Sequence, residues 1–122
     1  MEFKVMPGGA ITGEARVPGD KTTSHRAIML GALAEGTTRV TGFLEGEDAL
    51  ATLAAFRAMG VEIERRDEGA VVVHGVGLHG LKAPEAPLDL GNAGTGMRLM
   101  AGLMAGQPFD TEITGDASLC SR

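Results

Sequence analysis

Apolar and polar residues recur with two different spacings along the chain, and these spacings predict its secondary structure. Alternation predicts short strands at residues 3–5 and 10–17, with a Pro-Gly-Gly turn between them. From Thr22 or Thr23 onward, apolar residues return at helical spacing and predict a helix that stops beside Gly36. We therefore expect two strands to precede the first helix.

A second helix is predicted after the next strand. Residues 37–43 predict the strand, and the acidic run at residues 45–48 places negative charge where the positive end of the helix dipole favours it. Asp48 in this run has two interpretations, a residue that stabilises the helix start or a contact to a ligand, and we favour the first. Met59-Gly60 predicts the end of this helix.

A β-hairpin and a loop are predicted to follow. Alternating residues at 61–64 and 71–74 form the strands, and the glycine- and proline-rich residues 75–87 form the loop. His74 and His79 have no third ligand at metal-binding spacing. We interpret them as surface or strand-end histidines and expect no metal site.

The run L-D-L-G-N-A-G-T-G-M-R at residues 88–98 predicts a glycine-rich helix start after an apolar strand. Asn92 is the expected helix cap. Gly91, Gly94 and Gly96 carry no Cβ, so the backbone there can approach a ligand closely. The helix start within residues 18–26 has the same design.

Two short matching segments place these helix starts in approximate register. They are V-T-G at residues 40–42 and I-T-G at residues 113–115, the second at the end of a strand predicted at residues 111–114 and closed by Gly115. The predicted fold class is α/β, built from β-α-β-α-β-β repeats of which about one and a half are present. The last helix would begin after Ser118, and we expect the second unit to be truncated at Arg122.

Composition limits the possible classes of function. With 122 residues, of which 43% are hydrophobic, the chain can form one domain with a small core. A net charge of -5 and an aromatic content of 3% argue against nucleic-acid binding, which needs a basic face or stacking side chains. Cys120 is the one cysteine, so no disulfide framework is expected. Because no signal peptide or membrane-spanning run is evident, we expect a cytoplasmic protein.

The run P-G-D-K-T-T-S-H-R at residues 18–26 brings the parts of a phosphate site into one turn. Asp20 and the hydroxyl residues can cap a helix whose first N–H groups and positive dipole end attract an anion. Lys21 adds a point charge, and Arg26 adds a planar fork that holds two oxygens. Two ordinary solvated charges are the alternative, but the second helix start of the same design favours an anion site. We do not assign His25 as a catalytic base, because no partner is evident.

Four motifs, in this order and spacing, resemble the amino-terminal part of the EPSP synthase (3-phosphoshikimate 1-carboxyvinyltransferase) family. They are P-G-D-K-T-T-S-H-R-A, L-x-G-E-D-A, A-P-L-D-L-G-N-A-G-T-G-M-R and T-G-D-A-S-L-x-x-R. The resemblance covers essentially the whole chain. It implies an enolpyruvyl transferase-like fold of two domains that close over the substrates. It also implies that residues 1–19 are opening strands of the carboxy-terminal domain and that residues 20–122 form an incomplete amino-terminal domain.

The resemblance also implies a function and a set of binding residues. The family transfers the enolpyruvyl group of phosphoenolpyruvate to the 5-hydroxyl of shikimate 3-phosphate in the shikimate pathway, which leads to aromatic amino acids. No metal or organic cofactor is implied, and a full-length member is expected to be a monomer. By position, shikimate 3-phosphate is held by Lys21, Thr22 and Arg26. By the same matching, phosphoenolpyruvate is held by Lys21, Asn92, Gly94 and Arg122.

The sequence departs from the family pattern at Thr22 and Thr23, where Ser followed by Ile or Val is usual. The extra methyl group of Thr22 is expected to alter substrate affinity. Thr23 adds a hydroxyl that destabilises the fold if it is buried without a partner. Cys120-Ser121 also replaces a commonly charged pair.

The acid and base of the reaction lie in the family's carboxy-terminal domain, so the resemblance implies no catalytic residue in this chain. We therefore expect no turnover by the chain alone and expect the remainder of the enzyme to be its partner. Two alternatives remain: a non-catalytic anion-binding module, and an enolpyruvyl transferase with another acceptor, such as a UDP-sugar.

Overall fold

The structure, a computed structural model, describes residues 1–121 except for the side chain of residue 68. The chain forms both helices and strands from residue 21 onward. Their bounds are α1 Lys21–Leu33, β1 Glu35–Val40, α2 Glu47–Ala58, β2 Glu62–Arg66, a 3-10 turn Asp67–Gly69, β3 Ala70–Val76, β4 Leu88–Asp89, α3 Gly94–Met104, β5 Ile113–Thr114 and α4 Ala117–Cys120. This mixture of helices and small sheets agrees with the predicted α/β class, including the β2–β3 hairpin and the loop before β4.

The first sheet has three antiparallel strands in the order β1-β3-β2. Its central strand, β3, contains Val71, Val72 and Val73. Val73 lies opposite Thr38 of β1 and Ile63 of β2. The second sheet is a short parallel pair in which Leu88 lies opposite Ile113. A strand therefore follows the first helix of each predicted unit, although β5 is much shorter than β1.

Helix α1 packs very closely against the sheet because two glycines face the contact. A Cβ on Gly31 would lie 3.3 Å from the side chains of Thr38 and Val73. A Cβ on Gly75 would collide with the carbonyl oxygens of Gly31 and Ala34. The alternation of β3 thus places Val73 toward the helices and His74 on the other face.

The core lies between the three-stranded sheet and the helices. Its members are apolar side chains from every helix except α4 and from both sheets. The largest of the fully buried apolar side chains are Phe56, Ile28, Met59, Leu90, Met100, Val71 and Val73. Among the described residues, no helix is both long enough and apolar enough to cross a bilayer.

The strands predicted at residues 3–5 and 10–17 are not formed. The chain has no helix or strand before Lys21, and the apolar side chains of this opening segment are exposed. Alternation alone is insufficient, because a strand needs a neighbouring strand to pair its backbone groups. These exposed side chains are Met1, Phe3, Val5, Met6, Ile11 and Val17.

The predicted boundaries of the first helix also change. Helix α1 begins at Lys21 rather than at Thr22 or Thr23 and ends at Leu33. Gly36 does adopt the left-handed conformation, with a φ of 97°, but it does so within β1 rather than at the helix end. The backbone of the cap residue Ala34 is extended, so the chain passes directly from α1 into β1.

Candidate functional site: the starts of helices α1 and α3

Asp20 caps the start of helix α1. Its Oδ2 accepts a hydrogen bond from the backbone N–H of Thr23 at 2.6 Å. The backbone hydrogen bond from Thr23 is the main cause that lowers the pKa of Asp20. Ser24 adds a second connection, because its hydroxyl donates to the Asp20 carbonyl and accepts from the N–H of Leu44. The first turn of α1 is thereby fixed to the loop after β1.

Lys21, the first residue of α1, forms an ion pair with Asp48. Their Nζ and Oδ2 atoms are 3.0 Å apart, and the two side chains are 53% and 25% exposed. Asp48 lies in the first turn of α2, as its acidic type predicts for that position. It nevertheless contacts a residue of the predicted site, so the interpretation of Asp48 as a helix-start residue was incomplete.

Thr22 and Arg26 occupy the same face of α1, because they are separated by one helical turn. Thr22 is partly buried, whereas Arg26 and Thr23 are exposed. Because Thr23 is exposed, its hydroxyl is not buried without a partner. Arg26 has the accessibility that binding an anion requires.

His25 is fully buried at the junction of the helices. Its Nδ1 lies 2.8 Å from Oγ1 of Thr52 on α2, which is also fully buried. Nε2 is buried and has no hydrogen-bond partner in the described structure. Burial is the main cause that lowers the pKa of His25, so a neutral imidazole is favoured. His25 therefore joins α1 to α2 through Thr52.

The start of α3 lies against this buried pair. A Cβ on Gly96 would be 3.0 Å from Oγ1 of Thr52 and 3.4 Å from Cε1 of His25. Glycine therefore permits the first turn of α3 to approach the first turn of α1, with Thr52 of α2 between them. Gly94, the first residue of α3, is buried in the same region.

Asn92 does not cap α3, contrary to the prediction. The cap position is Ala93, which makes no side-chain capping bond. The side-chain N–H of exposed Asn92 donates instead to Oδ2 of Asp116 at 2.7 Å. Asp116 itself caps α4 by accepting from the N–H of Leu119 at 2.7 Å. The sequence did not show this because the two partners are distant along the chain.

The helix starts bring several anion-binding features to one part of the molecule. Two N-terminal turns supply positive dipole ends, and Lys21 and Arg26 supply full charges. Arg98 of α3 is also exposed, and its Nη1 donates to the Gly94 carbonyl at 3.3 Å. Arg122, the remaining predicted site residue, lies outside the described residues.

A separate cluster on the three-stranded sheet was missed by the sequence analysis. Glu62, Glu64 and His74 place one potential metal-ligand atom each within 4.8 Å of one another. Glu64 already accepts from Arg66 at 2.8 Å and lies 3.0 Å from His74 Nε2. The pairing of Glu62 with His74 across the hairpin creates the cluster, so spacing along the chain gave no signal. Exposed carboxylates with these partners do not by themselves define a metal centre.

Comparisons with known proteins agree with the motifs. A family model for EPSP synthase (3-phosphoshikimate 1-carboxyvinyltransferase) matches residues 5–122. Proteins named 3-phosphoshikimate 1-carboxyvinyltransferase are similar over the whole chain: that of Alkalilimnicola ehrlichii is 70% identical and that of Hydrogenovibrio crunogenus 66%. The chain spans 27% of the length of each of these two relatives.

A solved structure shows the same fold. It is an EPSP synthase from Acinetobacter baumannii, 64% identical in sequence, with a TM-score of 0.86. The match covers 90% of this chain and 25% of that one. Both sequence and structure thus correspond to about a quarter of these longer proteins.

Proposed function

Because the chain belongs to the EPSP synthase family, we propose that it forms the amino-terminal part of an enolpyruvyl transferase. The complete enzyme transfers the enolpyruvyl group of phosphoenolpyruvate to the 5-hydroxyl of shikimate 3-phosphate and releases phosphate. The proposal includes a cytoplasmic location and a role in aromatic amino acid synthesis. Because the chain spans 27% of the length of the Alkalilimnicola ehrlichii relative, the remaining groups needed for turnover would come from the rest of the enzyme.

The proximity of the starts of α1 and α3 carries this proposal. The reaction joins two anions, whose mutual repulsion must be offset by cations and oriented N–H groups. His25 and Gly96 bring the two helix starts together across Thr52. This arrangement supports a shared place for both anions.

Each predicted binding residue has a role in the proposal. Lys21 contacts both substrates from the first turn of α1, while Thr22 and Arg26 hold shikimate 3-phosphate. Phosphoenolpyruvate lies at the start of α3, where its contacts are Lys21, Asn92, Gly94 and Arg122. Asn92 is oriented for this role by its bond to Asp116.

The opening segment, residues 1–19, belongs in this proposal to the other domain of the enzyme. Its support is the exposure of the apolar side chains in that segment, among them Phe3 and Ile11. Strands of another domain would give them neighbours and would pair the backbone of residues 10–17. Limited proteolysis tests this point, since cleavage within residues 1–19 should slow when the remainder of the enzyme is added.

Reconstitution tests the proposed activity. The chain is mixed with the separately produced remainder of the enzyme, and phosphate release is measured with both substrates. We expect turnover by the mixture and none by the chain alone. A chain carrying Arg26→Ala should reconstitute poorly, whereas Arg39→Ala, which alters an exposed arginine on β1, should reconstitute normally. Binding of either anion by a mixture that never forms product would favour the non-catalytic module.

A further inference from the structure

The ion pair between Lys21 and Asp48 joins the first turns of two helices. Lys21 opens α1, Asp48 lies at the second position of α2, and the Nζ–Oδ2 distance is 3.0 Å. The two residues are far apart in sequence, so the contact depends on how α1 and α2 pack. It is therefore a feature of the tertiary structure rather than of either helix alone.

The contribution of this ion pair to the stability of the fold does not explain why Lys21 lies at the start of α1. The Lys21 side chain is 53% exposed, and ion pairs at such exposed positions contribute little to stability. A cation in the first turn of a helix is also opposed by the positive end of the helix dipole. The location of Lys21 is explained better by an anion that binds there, with Asp48 offsetting the unfavourable placement of the cation.

The two members of the pair differ in how firmly they are held. The Asp48 carbonyl accepts from the Thr52 hydroxyl at 3.4 Å, and Thr52 is in turn bonded to His25 of α1 at 2.8 Å. Thr52 and His25 are both fully buried, which fixes the start of α2 against α1. Lys21, by contrast, carries its charge on a long flexible stem. A short carboxylate on a fixed helix turn can orient such a side chain.

We propose that Asp48 is a positioning residue that holds the Lys21 ammonium for the anionic substrates. This inference rests on the proposed function. An ammonium group has three N–H donors, so the bond to Asp48 leaves two for phosphate or carboxylate oxygens. Asp48 is 25% exposed and Lys21 is 53% exposed, so the cation is the more accessible member of the pair.

A double-mutant cycle in the complete enzyme tests this role. The chain is joined to the remaining residues of the Alkalilimnicola ehrlichii relative, which is 70% identical to it over the matched region. Asp48→Ala should lower kcat/KM for phosphoenolpyruvate about tenfold, the scale of a weakened charged hydrogen bond. In a Lys21→Met background the same change should have little further effect, because the residue it positions is absent. Asp48→Glu, which keeps the carboxylate, should recover part of the loss.

Glu47→Ala provides the matched control. Glu47 is an exposed acid in the same turn of α2, so its removal changes the charge at the helix start without removing the ion pair. This variant should retain wild-type kcat/KM. If the joined enzyme forms no product, the proposed function fails. If it is active and Asp48→Ala either has no effect or acts equally with and without Lys21, the positioning role is wrong.

Discussion

Nδ1 of His25 lies 2.8 Å from Oγ1 of Thr52, and both residues are fully buried where helices α1 and α2 meet. A hydrogen bond at such a place has a large effect when one partner is lost, because the other remains buried and unsatisfied. The start of α3 packs against the same pair, since a Cβ on Gly96 would lie within 3.4 Å of both side chains. The stability of the fold and the geometry of the candidate site therefore depend on the same pair.

Thr52→Val is expected to destabilise the chain by about 1–3 kcal/mol. Valine has nearly the shape of threonine but leaves the buried His25 nitrogen without its partner. Urea denaturation of the chain measures the change. Thr52→Ser keeps the hydroxyl, so this variant should lose less stability. Equal losses of stability in the two variants would show that the methyl group matters rather than the hydrogen bond.

The His25 environment predicts a pH dependence near neutrality. Burial, the main cause, lowers the pKa of His25 in the folded state below its ordinary value of 6.5, while Asp48 raises it and Lys21 lowers it further. Below pH 6.5 the unfolded chain takes up a proton that the folded chain excludes, so stability should fall as the pH decreases. Above that value the effect should vanish. His25→Gln should flatten this slope in urea denaturation, and an unchanged slope would assign it to another group.

Local sequence signals predicted most of the first repeat. The acidic turn before α2 and the left-handed Gly60 after it gave that helix nearly its observed bounds. Asp20 and the hydroxyl run likewise marked the start of α1 to within one or two residues. These features depend on neighbours along the chain, which is why they could be read from the sequence.

Features that depend on distant partners could not be predicted in the same way. The alternation at residues 10–17 gave no strand because no partner strand lies beside it. Asn92 bonds to Asp116 instead of capping α3, and Lys21 meets Asp48 through helix packing. The binding residue types were thus evident from the motifs, whereas their arrangement required the fold.

Glu64 predicts a second pH effect, in acid. The hydrogen bond from Arg66, followed by that with His74, lowers the pKa of Glu64 from 4.5 to about 2. A lowered carboxylate pKa contributes stability above pH 4.5, and this contribution is lost as the pH falls toward about 2. The stability difference between the wild type and Glu64→Gln should therefore shrink over this interval. Arg66→Ala should weaken the same dependence, and a difference that stays constant with pH would contradict the assignment.

Gly75 and Gly102 should respond in opposite ways to alanine. A Cβ at Gly75 would collide with backbone carbonyls of α1, so Gly75→Ala should cost about 1–3 kcal/mol or more. Gly102 is exposed in α3 and an added Cβ there meets no atom within 4 Å. Gly102→Ala should therefore stabilise the chain by about 0.5–1 kcal/mol. Thermal or urea unfolding measures both, and similar effects at the two sites would exclude close packing as the cause.

Arg26→Ala should weaken shikimate 3-phosphate binding in the complete enzyme by about 1.5–3 kcal/mol, the value of a lost hydrogen bond to a charged group. Arg26 is exposed one turn beyond Thr22, and its guanidinium can hold two phosphate oxygens at once. Lysine keeps the charge but not the planar fork, so Arg26→Lys should recover only part of the affinity. Calorimetry measures both variants beside Arg39→Ala, an exposed arginine on β1 that should bind normally. Unchanged affinity in Arg26→Ala would remove this residue from the site, whereas a loss in Arg39→Ala of equal size would indicate general charge attraction rather than a specific contact.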